Sequence, residues 1–146
     1  MRLGVVEIKL ESKFIEKHLQ NSPVRFKKGC IKGWRKAGQI VRDEIRKLIK
    51  NPPKTGRKYG NLPNRSSAPG ESPAYQYGGL SKTTTYKALG WNRMEVGYQK
   101  IYGLYLERGT SRIKPRPALS SAVSQTYGAV RLALGIEIRR ELEKTT

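Results

Sequence analysis

The side chains that usually perform nucleophilic or acid–base chemistry are almost absent from this 146-residue chain. His18 is the only histidine and Cys30 the only cysteine, so a Cys–His pair would need both of them. Cys30 falls on the apolar stripe of a predicted long helix, where it is expected to pack as a small hydrophobic residue. His18 falls on the surface of a predicted short helix. A single cysteine also allows no intramolecular disulfide, which fits a reducing compartment.

The carboxylates are dispersed along the chain. Asp43 is the only aspartate, and Glu7, Glu71, Glu95 and Glu107 fall one to each predicted element. A two-metal hydrolase needs several carboxylates that converge on one point. The chain also lacks C-x-x-C, H-x-x-x-H and the glycine-rich phosphate-binding patterns. The sequence therefore predicts no enzyme, no metal site and no cofactor.

The stretch 102–119 combines a short helix with a stiff turn. Tyr102, Tyr105 and Leu106 have the i, i+3, i+4 spacing of one helix face. Gly109 tolerates the positive φ that commonly ends such a helix. Prolines flank position 116 and fix an extended path, and the second of them can begin a new helix.

This turn presents one carboxylate, Glu107, and one guanidinium, Arg116. In one interpretation the two form an ion pair within the chain and hold the turn closed. In the other they form a pair, or one half of a pair, across a subunit boundary. An exposed ion pair contributes at most about 1 kcal/mol, so a structural role requires partial burial.

The elements that position these residues predict a single α+β domain, residues 1–146, with a small, mainly antiparallel sheet and two long helices packed on it. Gly29, Gly33 and Gly38 interrupt the first long helix, and small residues there could let another backbone approach closely. The predicted elements are a strand at 3–10, a helix at 12–20, a long helix at 23–49, strands within 80–89 and 94–98, and a helix at 117–143 with the apolar stripe Leu119, Val123, Tyr127, Val130, Leu134, Ile138 and Leu142.

Residues 51–79 hold five of the eight prolines and are rich in glycine, serine and basic residues. A structureless connection of this length is unusual inside a compact domain. We interpret it as a long projecting basic loop, an arm with few apolar anchors. The arm is therefore expected to order only on assembly with other subunits.

The formal net charge of +19 indicates polyanionic surroundings. Residues 22–70 contribute fourteen Lys and Arg against two acidic residues, a net of +12. Like charges four residues apart destabilise a helix unless they are neutralised, so we favour a DNA-facing surface over a solvated helix face. Aromatic residues are sparse there, which favours contact with the backbone rather than the bases. The DNA-facing candidates are Lys28, Lys32, Arg35, Lys36, Arg42 and Arg46.

Two blocks of sequence carry a family resemblance. The first is Y-x-x-Y-x-E-x-G-T-S-x-x-x-x-R-P at 102–117, and the second is S-A-P-G-E-x-P-A at 67–74. Together they resemble the head–tail joining proteins of long-tailed double-stranded DNA phages, also called neck or tail-completion proteins. The resemblance covers roughly residues 22–142.

The resemblance implies a structural protein that forms a ring in the neck, with six or twelve copies around a DNA channel. It implies a connector or stopper protein on the head side, a tail terminator or tail tube protein on the tail side, and double-stranded DNA passing through. It also implies a virion protein that is assembled in the host cytoplasm. The candidate assembly residues are Arg57, Arg65, Pro69, Glu71, Glu107, Gly109, Thr110 and Arg116.

The alternative is a basic nucleic-acid-binding module that works alone and binds DNA or RNA without sequence preference. It accounts equally well for the charge but not for the two sequence blocks. No apolar run reaches the roughly 18 residues of a membrane span. The N-terminus also lacks the pattern of a signal peptide, so no membrane association is expected.

Overall fold

The long helix predicted at 23–49 runs from Pro23 to Lys50, and the other elements are arranged on it. The computed structural model describes residues 5–9, 16, 20–51 and 53–144. In chain order the elements are β1 Val5–Lys9, α1 Pro23–Lys50, α2 Gly79–Lys82, β2 Thr84–Ala88, β3 Arg93–Tyr98, α3 Ile101–Arg108 and α4 Leu119–Leu142.

The three strands form one antiparallel sheet in the order β1-β3-β2, so the predicted α+β class is confirmed. Val96 on the central strand pairs with Val6 on one side and with Tyr86 on the other. Met94 and Val96 are buried in the same apolar cluster as Trp34 of α1. This alternation is what the pattern of a half-buried strand requires. One face of the sheet therefore packs on α1.

The two long helices lie unusually close together. A methyl group placed at Gly29 would stand 2.7 Å from the Ile138 Cα, and one at Gly33 would stand 2.9 Å from the Leu134 Cα. These are distances at which backbone atoms must move. The glycines at 29 and 33 thus allow the close backbone approach that the sequence suggested, and the neighbour is α4 of the same chain.

The buried face of α4 differs from the predicted apolar stripe. Tyr127, predicted to be inside, is 59% exposed, whereas Glu137 and Glu141 are 6% and 3% exposed. The stripe is rotated because α4 turns towards α1, which offers lysines at the same level. A carboxylate is therefore tolerated where sequence periodicity alone favours an apolar side chain.

Two boundaries differ from the predicted ones. Residues 80–82, predicted within a strand, belong to the short helix α2, and Leu80 is buried in the core. The last helix begins at Leu119 rather than at 117. The helix predicted at 12–20 lies outside the described residues except for Glu16 and Gln20, which are both helical.

The close approach of α1 and α4 makes a specific prediction. Gly29→Ala should lower the free energy of unfolding by about 1–3 kcal/mol, because the added methyl meets backbone that cannot move aside. Gly128→Ala on the open side of α4 is the matched control, since nothing lies within 4 Å of that position. The control should raise stability by about 0.5–1 kcal/mol through helix propensity. Urea unfolding of both variants measures the contrast, and stabilisation by both would contradict the close contact.

Candidate assembly interface

The two sequence blocks of the family resemblance lie against each other in space. We call residues 66–74 and 106–120 together the loop unit. Three hydrogen bonds join its two halves: Gly70 N to the Pro115 O at 3.0 Å, Arg116 Nε to the Ser67 O at 3.0 Å, and Ser72 Oγ to the Pro117 O at 3.2 Å. The bonded residues are 45 to 49 positions apart in the sequence, so their contact is a property of the fold.

Glu71 closes the first half of the loop unit. Its carboxylate accepts hydrogen bonds from Thr55 N at 3.1 Å, Thr55 Oγ1 at 2.5 Å and Ala68 N at 2.8 Å. The hydroxyl bond of Thr55, followed by the two backbone donors, lowers the pKa of Glu71 below its usual range. A charged acceptor makes such bonds stronger than neutral ones. Glu71 therefore binds the start of the arm to its end.

Glu107 occupies the N-terminus of α4. Its two carboxylate oxygens accept from the backbone nitrogens of Ala118, Leu119 and Ser120 at 2.9, 3.1 and 2.9 Å, and from Ser120 Oγ at 2.7 Å. The cap residue Ala118 has no side chain that could accept these bonds. Glu107 supplies the missing acceptor from another helix, and its negative charge also suits the positive end of the helix dipole.

Arg116 is held by main-chain atoms. Its backbone nitrogen donates to the Leu106 O at 2.6 Å, and its Nε donates to the Ser67 O. Within the described ranges no ion pair joins Arg116 to Glu107, so the structure does not support the interpretation in which the two pair within the chain. The backbone N–H groups that bind Glu107 together stabilise it more than an exposed ion pair with Arg116 would, since such a pair contributes at most about 1 kcal/mol. A contact of Arg116 across a subunit boundary stays a prediction.

Gly109 and Thr110 shape the turn that follows α3. Gly109 has a φ of 76°, and a methyl group there would stand 2.7 Å from the Ile113 O. Thr110 N donates to that same oxygen at 2.7 Å, while Thr110 Oγ1 accepts from Arg112 N and Ile113 N. The turn is closed by its own atoms and leaves the side chain of Arg112 exposed.

The arm divides into a bound base and a projecting part. Gly56 N donates to the Ser66 O at 2.9 Å and Ser66 N to the Arg57 O at 3.1 Å, as in a narrow hairpin. We call the enclosed residues 57–65 the finger. Arg57 and Arg65 are exposed on it, and the Arg57 guanidinium lies over the Tyr59 ring at 5.3 Å. Both parts have partners within the same domain, because Asn61, Asn64 and Arg65 of the finger bond to residues 75–77. Ordering of the arm on assembly stays a prediction.

Pro69 is the last of the assembly candidates. It is exposed at the outer edge of the loop unit, beside Gly70, which has a φ of 85°. Exposed candidates such as Pro69 and Thr110 are free to contact a neighbour, whereas Glu71 and Glu107 shape the surface from within. The eight candidates are thus close in space but unequal in role.

Two of the DNA-facing candidates on α1 bind buried carboxylates. Lys32 Nζ lies 2.5 Å from Glu141 Oε1, and Lys36 forms an equally direct pair with Glu137. The glutamate side chains are only 4% and 8% exposed. Because a buried charge needs its partner, these two lysines are structural. The sequence signal that could have revealed this is a shared spacing: the two lysines are four residues apart, and so are Glu137 and Glu141.

The other four DNA-facing candidates divide evenly. Arg42 pairs with Asp43 and lies over the Tyr86 ring, and Arg46 Nε donates to the carbonyl of Ser81 at 3.2 Å. Lys28 and Arg35 are exposed. Of the six DNA-facing candidates, only these two are therefore left available on α1, and their contact with DNA stays a prediction.

Three further side chains are of types that can take part in chemistry: Cys30, Tyr98 and His18. Cys30 is fully buried, and burial raises the pKa of its thiol to about 12, so it packs as predicted. Tyr98 is buried with its hydroxyl unpartnered, and burial followed by the charge of Glu107 raises its pKa. His18 lies outside the described residues. The described part of the chain holds no cluster of three potential metal ligands.

No protein-family model matches this chain, and neither a curated protein nor a solved structure matches it significantly. Among the described helices, none is both long and apolar enough to cross a membrane.

The cap at α4 can be tested by removing its acceptor. Glu107→Ala should lower the free energy of unfolding by about 1–2 kcal/mol, because the first turn of α4 loses its cap. Glu143→Ala, at the exposed other end of the same helix, is the control and should change stability little. Equal stability of the two variants in urea would remove Glu107 as the cap.

The buried glutamates predict an acid transition. Hydrogen bonds from Lys144 and then Lys32 lower the pKa of Glu141 to about 2, and the bond from Lys36 leads the lowering at Glu137. A lowered folded-state pKa stabilises the fold above the unfolded-state pKa of about 4.3, and this contribution is lost as the pH falls towards 2. Unfolding measured from pH 6 to pH 2 should show this loss. Glu141→Gln should flatten the curve in that window, and an unchanged curve would contradict the pairing.

Proposed function

We propose that this protein is a structural virion protein of a long-tailed double-stranded DNA phage, which forms a ring in the neck and joins the DNA-filled capsid to the tail. The observation that carries the proposal is the loop unit. Its two halves are the two sequence blocks that resemble the joining proteins, and they contact each other through bonds that shape a surface.

The carboxylates of the loop unit favour a structural role over catalysis. Glu71 and Glu107 both point at backbone N–H groups, and their oxygens are occupied by the protein itself. Such groups stiffen the loops that they close. A stiff surface is what recognition by another subunit requires, because little conformational entropy is then lost on binding. The proposal therefore assigns the chain no enzymatic activity.

The exposed residues of the loop unit and the finger would contact neighbouring subunits. In a ring, each copy offers two different surfaces to its two neighbours. The finger carries the exposed cations Arg57 and Arg65 and suits contact with an adjacent copy or with a stacked ring. The proposed partners are five further copies, or eleven in a larger ring, a connector or stopper on the head side, and a tail terminator or tail tube protein on the tail side.

The net charge of +19 supports a channel through which DNA passes. A channel wall needs attraction to the phosphate backbone without sequence preference, since every part of a genome moves through it. The proposed location is the neck of the virion, with assembly in the host cytoplasm.

A charge reversal on the finger tests the proposal. Arg57→Glu should keep the melting temperature, because the Arg57 side chain is exposed. It should lower the yield of in vitro head–tail joining by about tenfold or more, since a wrong charge at an interface costs several kcal/mol. Arg139→Glu, an equal charge change on the outer side of α4, is the control and should join normally.

Unchanged joining by Arg57→Glu would remove the finger from the interface. Mass measurement of the purified protein, with and without double-stranded DNA, tests the wider proposal. A ring supports it, whereas a monomer that binds DNA or RNA tightly and never joins heads to tails supports the stand-alone module.

A further inference from the structure

We propose that a groove between the C-terminal end of α1 and the finger binds the phosphodiester backbone of double-stranded DNA. The identity of the polyanion rests on the proposed function, while the site itself rests on geometry. The groove encloses about 430 Å³, and three cations line it: Lys50, Lys54 and Arg65. The described residues that line it include no carboxylate.

The two lysines are held in place by contacts that leave donors unused. Lys50 Nζ lies 5.7 Å from the centroid of the Tyr75 ring, a cation–π contact. Lys54 Nζ donates one hydrogen bond to the Leu48 O at 2.8 Å. An ammonium group carries three N–H donors, so Lys54 keeps two for a phosphate oxygen.

Lys54 is also under an electrostatic penalty that an anion would relieve. Burial lowers the pKa of Lys54, against a smaller raising effect from Glu71. A cation removed from water is stabilised by a nearby negative charge. Since Glu71 is already engaged by Thr55 and Ala68, a phosphate from outside the chain is the better-placed counter-charge.

The opposite wall of the groove is fixed by reciprocal amide bonds. Asn64 N donates to Gln76 Oε1 at 3.0 Å, and Gln76 Nε2 donates to the Asn64 O at 3.0 Å. Asn64 Nδ2 further donates to the Tyr75 O at 2.6 Å. These bonds hold the backbone next to Arg65 against the body of the domain. The guanidinium therefore starts from a positioned backbone, which reduces the entropy lost when it binds a phosphate.

The negative end of the α1 dipole does not cancel this site. Two of the last carbonyls of the helix are already bonded, the Leu48 O by Lys54 and the Lys47 O by the Asn51 nitrogen at 2.7 Å. Lys47 and Lys50 add positive charge in the last turn. Since a backbone dipole end amounts to about half a charge, three cations exceed it.

The groove offers a polyanion cations that are better placed than those along α1. Along α1, Lys32 and Lys36 are paired with buried glutamates of α4, which Lys144 and Arg140 also contact. At the groove the three cations come from two separate segments and face one open space. Convergence of unpaired cations on an open space is what attracts a polyanion, whereas paired cations contribute little.

Salt-dependent DNA binding tests the groove. A triple variant, Lys50→Gln, Lys54→Gln and Arg65→Gln, should reduce the log–log slope of affinity against salt by about 2.5–3, since each phosphate contact contributes roughly 0.9. The matched triple Lys87→Gln, Lys100→Gln and Arg139→Gln has the same composition and charge change at exposed positions outside both the groove and α1. It should reduce the slope by less than about 1. The probe is a labelled 20-base-pair duplex of mixed sequence, with the full chain and fluorescence anisotropy.

A charge-conserving triple, Lys50→Arg, Lys54→Arg and Arg65→Lys, completes the design and should keep the slope of the unaltered protein. Thermal unfolding of each triple separates loss of DNA binding from loss of the fold. Equal loss of slope in the groove and control triples would overturn the inference, as would an unaltered protein with no salt-dependent binding. The proposed function is tested separately, because head–tail joining and ring mass do not depend on the anisotropy result.

Discussion

The contact between α1 and α4 is the constraint on which the rest of the structure depends. Glycines at 29 and 33 remove the side chains that would hold the helices apart, and backbone approaches backbone. At that distance, lysines of α1 reach the carboxylates of Glu137 and Glu141. Buried ion pairs add little net stability compared with apolar packing, but an unpaired buried charge is very unfavourable. The two ion pairs therefore depend on the close approach of the helices that the glycines permit.

The register of α4 determines where the helix begins, and its beginning organises the loop unit. The first turn of α4 meets Glu107 at the end of α3, and the chain between them must close within ten residues. Arg116 N bonds to the Leu106 O and turns the segment back along α3. The segment then exposes the carbonyl of Pro115 to Gly70 of the arm. The shape of the candidate interface thus depends on the position of the helix pair, to which a short series of hydrogen bonds connects it.

Local signals in the sequence were sufficient for the elements that local chemistry decides. The helix predicted at 23–49 matches α1 within one residue, and Gly109 was correctly predicted to end α3. The partner of Glu107 could not be predicted in this way. Glu107 and the backbone nitrogens that donate to it are eleven to thirteen positions apart in the sequence. The sequence also offered Arg116 as an equally plausible partner. The weak capping residue at Ala118 was the available signal, because a helix start without an acceptor requires one from elsewhere.

The distribution of charge shows why composition alone misplaces a binding surface. A row of basic residues on one helix face predicts a polyanion only if nothing in the protein neutralises them. In this fold the acidic residues that matter are hidden on another helix, more than one hundred positions away in the sequence. Once Lys32 and Lys36 are paired with these carboxylates, exposed cations remain at Lys28 and Arg35 on the helix and at the groove between the end of α1 and the finger. The surface offered to a partner therefore consists of the cations that no carboxylate of the protein binds, and the fold determines which cations those are.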